Sequence, residues 1–198
     1  RNIVMHCNNK VSDQYYDICK KNGVNVSNYE KGTELALEYE YLMDAISIIE
    51  EVSVKIVQVL CRKCFKGKDN LDFFDNIMNH YTYQLLLDEE WKLAIELGKF
   101  SIEVSQESTD QFKMLFIINY CIALKNLEQV AAVREILRNV DFTAKNKEFL
   151  LARYVLLDDV DNVIKLMYSV GKEGVYFDER TYIEFPLFRS MRNDIKFK

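Results

Sequence analysis

The amino-acid sequence predicts an all-α protein built from stacked helix pairs, and three observations support this fold class. The 198 residues include one proline and six glycines, too few chain-breaking residues for a fold rich in strands and turns. Apolar residues recur at spacings of three and four over most of the chain, which is the period of a helix. From residue 70 onward, equivalent turns follow one another at intervals of 36 and 33 residues, which is typical of helical repeats that stack as an α-solenoid.

Residues 1–32 are predicted to form a small atypical N-terminal segment with the order strand, helix, strand. The apolar runs Ile3–Cys7 and Val24–Val26 are the expected strands. Between them, Ser12 is a typical helix N-cap and Gly23 is a typical helix stop. Two strands alone are too few for a stable sheet, so this segment needs further pairing partners or is irregular.

The same segment, "IVMHCNNKVSDQYYDICKKNGVNV", resembles the closing strand–helix–strand of a PIN-type nuclease domain. That family has an aspartate where Asn9 stands, and its earlier acidic residues are not in this chain. The resemblance therefore implies a remnant of an α/β domain with an incomplete active site.

Residues 33–69 are predicted to form one long helix or a helical hairpin. Apolar residues recur from Leu35 to Leu60, and no glycine or proline interrupts the run before Gly67. A break near Glu51–Ser53 would divide the segment into two helices, and the sequence leaves both alternatives open.

Residues 70–172 are predicted to form three helix pairs, and residues 173–198 a C-terminal cap. The expected helices cover about 71–86 and 89–104, 110–124 and 127–139, and 146–157 and 160–172. Pro186 is expected in the first turn of a final helix. The apolar side of that helix would consist of Phe185, Leu187, Phe188, Met191 and Ile195.

The three pairs resemble tetratricopeptide repeats, in which a large residue opens the second helix and a small residue follows three positions later. The matching positions are Trp91 and Ala94, Leu127 and Val130, and Val160 and Val163. The repeats are degenerate: two of the small residues are valines, and no proline follows any second helix. Thr82, Ile118 and Leu151 replace the glycine of the family's first helix.

The resemblance implies a groove for a protein or peptide, lined by residues of the first helix of each pair. Its mixture of apolar and amide side chains favours an apolar or amphipathic segment. The chain's own N-terminal helices are an alternative occupant. The candidate groove residues are Asn76, Asn79, Tyr83, Phe112, Leu115, Asn119, Lys145 and Glu148.

Composition and motifs argue against several other classes of protein. The net charge of −5 argues against binding to nucleic acid. The sequence contains no apolar run long enough to cross a membrane. No catalytic motif involves His6 or His80, and Cys61–Cys64 lacks a second ligand pair for zinc. Five cysteines at irregular spacing suggest free thiols in the cytoplasm. We expect no catalysis, no cofactor and no metal.

The sequence thus predicts a protein–protein interaction or regulatory module, a scaffold that binds a protein or peptide partner. That partner could be another domain of the same polypeptide or a second copy in a homo-oligomer. Because the chain begins with Arg1, the alternative is the C-terminal sensor or oligomerisation region of a larger bacterial enzyme, such as a nuclease or defence effector. An RNA-binding helical repeat would require a contiguous basic patch, which the net acidity disfavours.

Overall fold

The computed structural model describes residues 8–26, 30–35, 38–142 and 146–193, and the described part of the chain is all-helical, without a named strand. The chain is divided into two compact units, Arg1–Ile49 and Glu50–Lys198. None of the described helices is long and apolar enough to span a bilayer. The helices are α1 (Asp13–Lys21), α2 (Tyr39–Cys64), α3 (Lys68–Leu87), α4 (Trp91–Val104), α5 (Asp110–Asn126), α6 (Val130–Arg138), α7 (Lys147–Leu156), α8 (Val160–Val170) and α9 (Glu179–Glu184), followed by 3₁₀ turns at Pro186–Phe188 and Met191–Asn193.

In the first unit, α1 forms where the sequence predicted it. The Ser12 hydroxyl accepts a hydrogen bond from the Tyr15 amide, and Gly23 ends the helix with a φ of 73°. The predicted strand Val24–Val26 is wrong, because the Val24 amide donates to the Cys19 carbonyl at 2.9 Å and closes the end of α1. The bridge in this unit pairs Lys10 with Glu34 instead. The other predicted strand, Ile3–Cys7, lies outside the described residues.

Helix α2 runs without a break over the 26 residues Tyr39–Cys64, so the described residues between 33 and 66 form one helix rather than two. The suggested break at Glu51–Ser53 falls in its interior. No glycine or proline lies between Tyr39 and Gly67, so the sequence contains no strong helix breaker within this range. The helix is about 39 Å long at the standard rise per residue.

The second unit contains helices α3–α8, and the consecutive helices α3 and α4, α5 and α6, and α7 and α8 contact each other as pairs. In addition, α5 packs against both α3 and α7, so the first helices of the pairs are neighbours. The apolar core lies between these helices and includes Met78, Leu86, Leu97, Phe116, Ile122, Leu137, Leu151 and Val155, all nearly inaccessible to solvent.

The turn within each pair has the same backbone geometry. Each contains one residue in the left-handed region, Glu89, Glu128 and Asp158, with φ values of 61°, 61° and 59°. In each turn, the amide of the following residue donates a hydrogen bond to the carbonyl of the residue three positions before the helix C-cap. These bonds join Glu90 to Leu85 at 2.9 Å, Gln129 to Leu124 at 2.9 Å and Asp159 to Tyr154 at 3.0 Å. This is the Schellman arrangement, which usually has glycine at its left-handed position.

The shared turn corrects the predicted alignment of the pairs. The second helices begin at Trp91, Val130 and Val160, whereas Leu127 is the C-cap of α5. The intervals are therefore 39 and 30 residues rather than 36 and 33. Three positions into each second helix, a fully buried small or branched residue packs into the core: Ala94, Val133 and Val163.

The predicted final helix is a short 3₁₀ helix, Pro186–Phe188, with Pro186 in its first turn as expected. Phe185 precedes proline and is extended, with φ −68° and ψ 133°, because the proline ring disfavours helical backbone at the residue before it. Helix α9 therefore ends at Glu184, and Pro186 opens a 3₁₀ turn. The apolar residues Phe185, Leu187, Phe188 and Met191 are buried as expected, and Ile195 lies outside the described residues.

Candidate protein-binding surfaces

The described groove residues lie on the first helices of the pairs, and two of their amide side chains bind each other. The buried Asn119 on α5 donates from Nδ2 to Oδ1 of Asn79 on α3 at 3.0 Å. This hydrogen bond satisfies the Asn119 amide where it is inaccessible to water. Both side chains join neighbouring helices, so neither is positioned primarily for an external ligand.

The chain's own C-terminal segment, Gly174–Met191, packs on other residues of the first helices. The ring of Tyr83 stacks on Phe185 with 4.7 Å between ring centroids. The ring of Phe149 stacks on Tyr176 at 5.1 Å. Burial raises the pKa of the Tyr83 hydroxyl, and the nearby Asp178 carboxylate raises it further.

Glu148 anchors the same C-terminal segment. Its buried carboxylate accepts hydrogen bonds at Oε1 from the amides of Tyr176 and Phe177, at 2.7 and 2.9 Å. A Cβ on Gly174 would lie 2.5 Å from both this oxygen and the Phe177 carbonyl, so only glycine fits there. Buried carboxylates are stable only with such donors, and Glu148 uses its own chain for them.

The remaining predicted groove residues have less defined roles. Asn76 is exposed, Phe112 and Leu115 are half-buried, and Phe112 stacks on Phe116 at 6.2 Å. Lys145 lies outside the described residues. Of the predicted groove residues, Tyr83 and Glu148 contact a peptide segment that belongs to this chain.

Residues of the C-terminal segment also bind the turns of the helix pairs. Arg189 forms an ion pair with Glu89, and its guanidinium lies 5.6 Å from the centre of the Trp91 ring. Ser190 donates to Asp158 at 3.2 Å, and Lys125 contacts Asp158 at 2.7 Å. Two of the acidic left-handed residues are therefore paired with polar or cationic groups.

Helix α2 places polar side chains against α3. Gln58 is buried and donates to the Phe74 carbonyl at 3.3 Å, and it accepts from Arg62 Nε at 3.3 Å. Arg62 also forms an ion pair with Asp75, whose side chain is completely inaccessible to solvent. The Tyr81 hydroxyl donates to Glu50, and burial together with this carboxylate raises the pKa of the tyrosine.

The opposite side of α2 consists of apolar residues that face solvent. Within the second unit these are Val52, Ile56, Val59 and Leu60, with Ile56 53% exposed and Leu60 54% exposed. An amphipathic helix normally buries this side. The sequence contains one indication that the polar side of α2 faces inward, because polar residues also recur at helical spacing. These residues are Glu51, Lys55, Gln58 and Arg62.

The described residues contain no group of three or more His, Cys, Asp or Glu side chains that could hold a metal ion. Cys61 is half-buried and Cys64 is exposed, and both are free thiols. Burial raises the pKa of Cys121 to about 12, so this thiol stays protonated at neutral pH.

Comparison with protein-family models, with curated proteins and with solved structures finds no match to this chain.

Proposed function

We propose that this chain is a protein–protein interaction module without catalytic activity of its own, and that it binds its partner through the apolar side of α2. The observation that carries the proposal is the orientation of α2, with polar residues toward α3 and apolar residues toward solvent. Soluble monomers rarely leave a contiguous apolar surface in water, and such surfaces commonly mark binding sites.

The groove of the first helices is a weaker candidate for an external partner. Tyr83 and Glu148 already contact Phe185, Tyr176 and Phe177, so a second peptide at these residues would have to displace the C-terminal segment. The apolar side of α2 needs no such displacement. We therefore assign the groove to the chain's own segment and the α2 surface to the partner.

The three helix pairs serve, in this proposal, as a rigid scaffold stacked in the manner of a tetratricopeptide-like α-solenoid. Three turns of equal geometry and the packing of α5 against both α3 and α7 support it. The unequal intervals of 39 and 30 residues make the repeats degenerate. The free thiols at the described cysteines fit a reducing compartment, and we propose the cytoplasm.

Site-specific photo-crosslinking tests this function. A photoreactive phenylalanine replaces Ile56 on the apolar side of α2, and the control carries it at Lys165, which is exposed on α8. In the cells that make the protein, we expect polypeptide adducts from position 56 and none from position 165. Absence of adducts at position 56, or equal adducts at both positions, would contradict the proposal.

A further inference from the structure

The outward residues of α2 follow a regular alternation of three and four positions. Exposed or half-buried apolar residues recur along the helix with no charged residue among them. This is the heptad pattern of a helix that packs lengthwise against one other helix. Its members are Leu42, Ala45, Ile49, Val52, Ile56 and Val59, which we call the α2 stripe.

Charge is distributed unevenly along α2 and its flanking residues. Before the stripe and at its start lie the exposed carboxylates Glu38, Glu40 and Asp44. At the opposite end lie the exposed ammonium groups of Lys63 and Lys66. Two such helices attract each other when antiparallel, because each acidic end meets a basic end. A parallel pair would bring like charges together.

From these two observations we infer that the α2 stripe binds the α2 stripe of a second copy of this chain, in antiparallel orientation. The inference rests on the proposed function and names its partner. A surface that complements itself under a two-fold rotation is what a symmetric dimer requires. If both ends of α2 carried the same sign of charge, two copies would repel each other in either orientation, and a different partner would be favoured.

The spacing of the stripe also defines the register of the pair. Leu42 of one copy meets Val59 of the other, Ala45 meets Ile56, and Ile49 meets Val52. The same register brings Lys63 level with Glu38 of the other copy. All six apolar positions of each copy are then covered, over a length of about 26 Å at the standard helical rise.

The polar side of α2 prevents the stripe from being buried by a simple rotation of the helix within the second unit. Rotation would remove Arg62 from the fully buried Asp75 and Gln58 from the Phe74 carbonyl. A buried carboxylate without its cation is strongly unfavourable. The apolar side therefore remains available to a second chain.

Sedimentation equilibrium of the full chain over a range of concentrations tests the pairing. We expect a species of twice the 23.4 kDa chain mass. Ile56→Lys should raise the dissociation constant at least about tenfold, because an ammonium group would be buried among apolar side chains. Val57→Lys is the matched control: Val57 is 57% exposed, against 53% for Ile56, but lies about 100° around the helix. It should leave the dimer intact.

Lys63→Ala tests the orientation. In the antiparallel pair it removes an attraction and weakens the dimer by a few-fold, most clearly at low salt. In a parallel pair it would relieve repulsion and strengthen the dimer. Circular dichroism at the working temperature verifies that each variant is folded.

Three results would overturn the inference: a wild-type chain that stays monomeric, equal weakening by Ile56→Lys and Val57→Lys, or a tighter dimer for Lys63→Ala. If the chain is monomeric while photo-crosslinking at position 56 yields adducts with another protein, the second-copy inference fails and the proposed interaction function stands.

Discussion

Helix α2 and the paired helices α3–α8 share a helical spacing of apolar residues, but these residues face solvent in α2 and the core in the pairs. In the pairs, Leu86, Leu137 and Val163 point into a core that excludes water. In α2, the buried residue is Gln58, whereas Ile56 and Leu60 face solvent. Periodicity thus identifies a helix and its two sides, but the partners available to the polar residues decide which side turns inward.

The largest effect that tests this comparison concerns the buried ion pair of α2. We expect Arg62→Met to lower the free energy of unfolding by about 3–5 kcal/mol, because it leaves the Asp75 carboxylate buried without a cation. Urea denaturation measures the change. The control is Arg62→Met combined with Asp75→Leu, which should recover most of the loss. If Arg62→Met leaves stability unchanged, Asp75 is hydrated and α2 has no fixed orientation.

A pair of identical substitutions in the two regions compares them directly. We expect Leu86→Ala, in the core, to lower the free energy of unfolding by about 2–5 kcal/mol through the lost contacts and the cavity. Leu60→Ala, at a site 54% exposed, should cost less than about 1 kcal/mol at concentrations where the chain is monomeric. Chemical denaturation of both variants under the same conditions provides the comparison. Equal losses would mean that the outward side of α2 is buried within the single chain.

Much of the helical architecture could be predicted from the sequence because its signals are local. Ser12, Thr109 and Asp159 accept hydrogen bonds from amides in the first turns of α1, α5 and α8, so helix starts coincide with recognisable caps. The left-handed residues of the pair turns escaped prediction because they are acidic rather than glycine. That missing signal placed Leu127 three residues from the true start of α6.

The parts that could not be predicted depend on contacts distant in sequence. Nothing near Glu148 indicates that its carboxylate binds the amides of Tyr176 and Phe177, 28 and 29 residues later. Likewise, the orientation of α2 depends on Arg62 meeting Asp75 and on Tyr81 meeting Glu50. Residue types reveal that such groups need partners, whereas the identity of the partner follows from the fold.

The smallest predicted effect concerns the shared turns of the paired region, which distinguish it from the uninterrupted α2. Glu128 has a φ of 61°, a conformation that costs a residue with a side chain about 1–2 kcal/mol. Replacing Glu128 with glycine would relieve this strain, but the greater conformational freedom of glycine in the unfolded chain would offset part of the gain. We therefore expect Glu128→Gly to stabilise the protein by about 0.5–1 kcal/mol, seen as a rise in Tm of a few degrees.

Gln129→Gly is the neighbouring control. Gln129 has a φ of −82°, so glycine relieves no strain there and should lower Tm. Glu89 and Asp158 are poorer sites for the test, because glycine would also remove their contacts with Arg189 and Lys125. A fall in Tm for Glu128→Gly would show that its carboxylate contributes more to the turn than the left-handed backbone costs, and the three turns would then depend on side-chain pairing as α2 does.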